Sequence, residues 1–168
     1  MIMRSSSRAL PAAVVALLTL ALPTSAAVVR PTLVALWPGY QIELPGGYCA
    51  QLSKGPDFDV LYVRERGAAE ESVLAGIYAG YAPDFAPECA KPTTRTWTSN
   101  KLRFKSVRGA DACAEFLVED PTNSERGKLH VWFGPAAKEH PQLAENLVSS
   151  IGPAALPMAD ATNPPRCD

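Results

Sequence analysis

The chain has 168 residues, with 16 lysines and arginines against 17 aspartates and glutamates, for a formal charge of −1. That balance argues against a nucleic-acid binder, which gathers basic charge on one face. A hydrophobic share of 47% argues against a disordered chain and is enough to build a core.

The opening stretch, "MIMRSSSRALPAAVVALLTLALPTSAAVVR", divides into three parts. Arg4 and Arg8 give a positive start, residues 9–22 form an apolar run broken only by Pro11 and Thr19, and Pro23 precedes small residues. Thr24 and Ala26, or Ser25 and Ala27, have the spacing a signal peptidase reads. The apolar run falls short of the roughly 20 residues that cross a bilayer, and no cysteine follows it to carry a lipid. Residues 1–26 therefore read as a cleaved secretory signal, which makes the protein an exported one, periplasmic or secreted. No other segment is long and apolar enough to span a membrane.

The globular domain is expected over 37–152. Tyr40, Ile42 and Leu44 alternate with Gln41 and Glu43, a short half-buried strand that "PGG" ends. In 57–66, Phe58, Val60 and Tyr62 lie on one side of a strand and Leu61 and Val63 on the other. Apolar residues on both sides mark a strand covered from above and below, and 72–81 reads the same way, with Gly76 and Gly80 beside Tyr78. Glycines inside a strand mark a place where another segment comes close.

Two β-rich runs follow around "TSN", the second setting Lys101, Arg103 and Lys105 against Leu102 and Phe104. In "ACAEFLVE", Ala114, Phe116 and Val118 alternate with Cys113, Glu115 and Leu117. A hairpin between these runs puts Phe104 and Phe116 on one side and the basic row opposite glutamates. "KLHVWF" directs Leu129, Val131 and Phe133 one way and His130 and Trp132 the other. In "HPQLAENLVSSIG", Pro141 suits a first helical turn, Leu143, Ala144, Leu147, Val148 and Ile151 form one stripe, and Gly152 and Pro153 end the helix. The fold class is α+β: a single, mainly antiparallel sheet with a C-terminal amphipathic helix packed on it. Residues 153–168 then form a proline-rich tail.

Cys49, Cys89, Cys113 and Cys167 all follow the leader, and an even count in an exported chain reads as disulfides. No C-x-x-C occurs, so the close spacing of a zinc site is missing and no metal is expected. Cys113 shares its side with Glu115, away from the main core, so its partner belongs to a segment crossing over it. The Cys89 loop and the tail are the two candidates; we favour Cys89–Cys113 and Cys49–Cys167, the second pinning the tail to the body.

Chemistry is sparsely marked. His130 could act as a base with Asp111 or Asp120, but no serine stands in a nucleophile turn, and a strand histidine under a loop explains it as well. His140 only borders the helix. "GIYAGY" matches neither a dinucleotide nor a P-loop pattern, and no cofactor is called for. No catalytic residue is assigned. Tyr78, Tyr81 and Phe85, with Trp37 and Trp132, either fill the core or form a rigid aromatic surface of the kind found in binding hot spots. The basic row, with Arg95 and Arg108 nearby, reads as a solvated face neutralised by Glu115 and Glu119.

The pattern "YQIELPGGYCA … DFDVLYV … GIYAGYAPDF … LHVWF … AENLVSSI" resembles small exported proteobacterial proteins with a PsbP/Mog1-like α/β sandwich. The resemblance covers about residues 37–152 and departs from that fold in lacking a helix between the first strands. It implies an adaptor or binding subunit rather than an enzyme, by analogy of fold. The expected function is an exported interaction protein whose partner is another protein, for instance an inhibitor or immunity factor, with Tyr78, Tyr81, Phe85 and Trp132 as the contact residues. The alternatives are an envelope hydrolase using His130 with a carboxylate, and a structural envelope protein.

Overall fold

A computed structural model describes residues 30–36, 39–83, 85, 89–90, 92–110, 113–154 and 164–167. The proposed leader, residues 1–26, and Trp37 lie outside them.

Over the described residues the protein is mainly antiparallel sheet with one short α-helix. Strands β1 (Thr32–Leu36) and β2 (Tyr40–Leu44) pair with each other, and β2 also pairs with β10 (Gly152–Pro153) in a three-stranded sheet. The seven-stranded sheet runs β3 (Tyr48–Lys54), β4 (Phe58–Glu65), β5 (Val73–Gly80), β9 (Lys128–Phe133), β8 (Ala114–Glu119), β7 (Leu102–Arg108) and β6 (Thr93–Ser99), with every neighbour antiparallel. Two-residue connections suit antiparallel neighbours. Asn100 and Lys101 turn β6 into β7 with φ of 51° and 65°, and Asn100 Nδ2 donates to the Ile151 carbonyl at 2.9 Å.

One face of the large sheet is the core. Leu61 and Val63, Ala75, Ile77 and Ala79, Leu129 and Val131, Phe116 and Val118, and Phe104 are all buried there. The same cluster takes in Val34 and Leu36 of β1, Tyr40, Ile42 and Leu44 of β2, and Ala144, Leu147 and Val148 of α1 (Pro141–Ser149). Pro141 occupies the first turn of α1, where its missing N–H leaves no bond unmade. Arg108 reaches across to α1 and forms a forked ion pair with Glu145, and its hydrogen bonds to that carboxylate raise the guanidinium pKa.

Several boundaries differ from the sequence reading. The folded body starts at Thr32 rather than 37, because β1 contributes Val34 and Leu36 to the core. Tyr48–Lys54, unassigned in the sequence reading, is the strand β3. Gly152 and Pro153 do more than stop a helix: the chain returns to pair with Tyr40 and Gln41. In the hairpin, Phe104 and Phe116 do share the core face, and Arg103 does pair with Glu119. Lys105 instead faces Leu117 and lies 5.4 Å from the centre of the Phe85 ring.

Candidate functional site

The face of the seven-stranded sheet turned away from the core carries most of the remaining aromatic side chains. Alternation along each strand directs Phe58, Val60 and Tyr62 of β4, Tyr78 of β5, His130 and Trp132 of β9, Glu115 and Leu117 of β8 and Lys105 of β7 to this outer side. Phe58 stacks on Tyr78 at 5.3 Å between ring centres, and Tyr62 meets Trp132 edge-on at 6.2 Å. Such pairs add to the area they bury.

Glycines let two of these rings lie close to the sheet. A Cβ on Gly76 would come within 2.1 Å of the Trp132 ring, and one on Gly80 within 2.6 Å of the Tyr78 hydroxyl. The sequence reading expected a separate segment to approach these glycines. What approaches is a cross-strand indole at Gly76, and at Gly80 the side chain two residues earlier on the same strand.

His130 stands in the middle. Its Nε2 lies 2.7 Å from Glu115 Oε2, with the rings of Phe85 and Trp132 at 5.5 and 5.6 Å. The carboxylate partner is thus Glu115, and not Asp120 as the sequence order proposed. Asp120 is engaged elsewhere: it accepts from the Thr122 amide and hydroxyl and pairs with Arg126 at 2.8 Å. The Thr122 hydrogen bonds, more than Arg126, hold its carboxyl below the usual range. Asp111 lies outside the described residues. Glu119, on the same strand as Glu115, binds Arg103 and Lys128; burial opposes its ionisation, but these bonds outweigh it and lower its pKa.

Two disulfides frame the face. Cys89–Cys113 ties the loop carrying Phe85 over the start of β8, and Cys113 stands just before that strand rather than within it. Ala110 donates to the Ala90 carbonyl beside it. At the opposite side Cys49 joins Cys167 across 118 residues, and Ala50 N–H donates to the Pro165 carbonyl at 3.0 Å, adding 164–167 alongside β3. The tail cysteine is thereby held against the body.

Of the four sequence-selected contact residues, Tyr78 and Trp132 are half-buried in this layer and Phe85 packs against its histidine. Tyr81, one residue past β5, is 55% exposed. Phe58 and Tyr62 belong to the same layer, and Tyr62 is 37% exposed. Arg108 leaves the basic row for the core side and α1. Among the described residues no group of three or more His, Cys, Asp or Glu is placed to hold a metal ion, and no helix is long and apolar enough to cross a membrane. No protein-family model matches the chain, and neither a curated protein nor a solved structure matches it significantly.

Proposed function

We propose that this is an exported binding protein that takes a protein partner on the outer face of its seven-stranded sheet, in the manner of an inhibitor or immunity factor. The observation that carries the reading is the aromatic layer of Tyr62, Tyr78 and Trp132, which faces away from the core around the His130–Glu115 pair. Rigid aromatics give large contact area at low entropic cost, and they dominate binding energy where they occur. Charges of both signs border the layer, with Lys105 beside Phe85 and Arg103, Glu119 and Lys128 in one network. Such a rim sets orientation and on-rate more than affinity. Export is supported by the leader in the sequence and by two disulfides, which persist in oxidising compartments. In this reading α1 is an amphipathic cover on the side of the core away from the partner. Kinship with PsbP/Mog1-like binding subunits is proposed alongside it.

The test is capture of a partner from envelope extract on the immobilised, oxidised protein, repeated with Tyr62→Ala and Trp132→Ala. A partner bound by the native protein and lost from both variants, at unchanged circular dichroism, supports the reading. Retention by both variants, or no partner together with hydrolase activity in the pure protein, overturns it.

The His130–Glu115 contact favours a second reading, an envelope hydrolase with His130 as base and Glu115 as its orienting carboxylate. It requires His130→Ala to abolish turnover without lowering the melting temperature. The flanking Phe85 and Trp132 rings, in place of a nucleophile, put this reading second.

A further inference from the structure

Arg64, the first residue after the β-bulge of β4, is 8% exposed. Among the described residues its Nε–H has no hydrogen-bond partner, and no carboxylate forms an ion pair with it. A buried N–H left in this state is costly, because the water it gave up is not replaced. Buried arginines ordinarily meet a carboxylate or phosphate through two parallel N–H bonds.

Arg64 and Arg166 both line a groove of about 490 Å³ formed by β3, β4 and the segment 164–167. Gln51 adds a neutral polar group, Ala50, Leu52 and Pro164 an apolar lining, and Glu70, among the described residues, the one acidic group. Arg166 stands next to Cys167, so the bridge to Cys49 holds the second cation in place. The volume exceeds what a simple ion needs and falls in the range of small-molecule sites.

We propose that this groove binds the oxyanion head, carboxylate or phosphate, of a small molecule, with Arg64 as the buried fork and Arg166 as the outer cation. Arg64 lines the groove, and two anion oxygens there meet the N–H groups that its guanidinium presents to it. The apolar wall of Leu52 and Pro164 receives the body of the ligand, and Glu70 keeps away ligands carrying a second negative charge on that side. This site lies beside the aromatic layer and does not depend on its role in partner binding.

The test is thermal unfolding of the oxidised protein at constant ionic strength, with sodium chloride replaced stepwise by sodium phosphate or by sodium acetate. Ligand at tenfold its dissociation constant raises the melting temperature by about 3 °C for a domain of this size. The salt whose shift falls most in Arg166→Ala identifies the head group, since phosphate also stabilises by exclusion from the surface. Arg64→Gln should weaken that anion at least tenfold while leaving the unliganded protein no less stable, since an uncompensated buried charge is removed. Arg166→Ala, a change on an exposed residue, should weaken it several-fold at unchanged unliganded stability, and serves alone if the first variant does not fold. Shifts in the native protein no larger than those of the chloride control would overturn the proposal. So would shifts of equal size in the native protein and Arg166→Ala.

Discussion

Trp132 lies across the backbone of Gly76 on the neighbouring strand, in a space that only a residue without a side chain leaves open. The indole thereby shields the β5 backbone and is itself held flat. Gly76→Ala drives a methyl group into the ring. The expected loss is about 1–3 kcal/mol, the usual cost of overpacking, with a red-shifted tryptophan emission as the ring lifts. An unchanged melting temperature and spectrum would show that the layer is loosely packed.

Tyr40 is fully buried and donates its hydroxyl to the Gly127 carbonyl at 2.8 Å. Burial pushes its pKa up to about 12. The unfolded chain therefore releases this proton first, near pH 10, and the stability it contributes falls away as pH rises from about 10 towards about 12. Tyr40→Phe should cost about 1 kcal/mol at neutral pH through the lost hydrogen bond. It should also flatten the alkaline limb of the stability curve, measured by denaturant titration from pH 8 to pH 11.

Acid should act through Asp120. Its carboxyl ionises at lower pH in the fold than in the open chain, so on acidification the open chain takes up the proton first. The contribution is complete above about pH 4 and is lost as pH falls through the folded value. In Asp120→Asn the melting temperature should depend less steeply on pH below about 4. A parallel curve for the variant would place the acid-sensitive group elsewhere, with Glu119 the next candidate.

Ser106 is the reverse case: a fully buried hydroxyl on the core face of β7, across from Phe116, with no partner for its Oγ. Removing an unsatisfied polar atom without changing the backbone stabilises, so Ser106→Ala should gain about 1 kcal/mol. A loss of stability would mean that an ordered water satisfies the hydroxyl.

Much of this architecture is legible in the chain, and the reasons are local. Strict alternation exposes β2, the charge pattern joins β7 to β8, and the 3.6-residue stripe with Pro141 in front marks α1. β3 escapes because it is an edge strand whose last four residues, Gln51 to Lys54, are exposed, so no buried face imposes a pattern. β1 escapes because "TLVAL" follows an apolar opening stretch without any change of period. The aromatic layer is harder still. Phe58 and Tyr62 sit opposite in direction to Leu61 and Val63, but both sets are apolar, and only the assembled sheet decides which set meets the core. The His130–Glu115 contact depends on the register of β8 against β9, in which Glu115 faces Trp132 and Leu117 faces His130. Counting residues along the chain instead suggests Asp120.

The bond between Ala50 N–H and the Pro165 carbonyl also decides where the large sheet can grow. β3 is one of its two borders, and a border strand offers free backbone groups to any passing chain. Pro164 and Pro165 cannot donate in return, so the ladder terminates on them as on a blank plug. Because the plug is chained through Cys167, reduction of that bridge would remove the link that holds it against β3 and leave the Ala50 end of this border open.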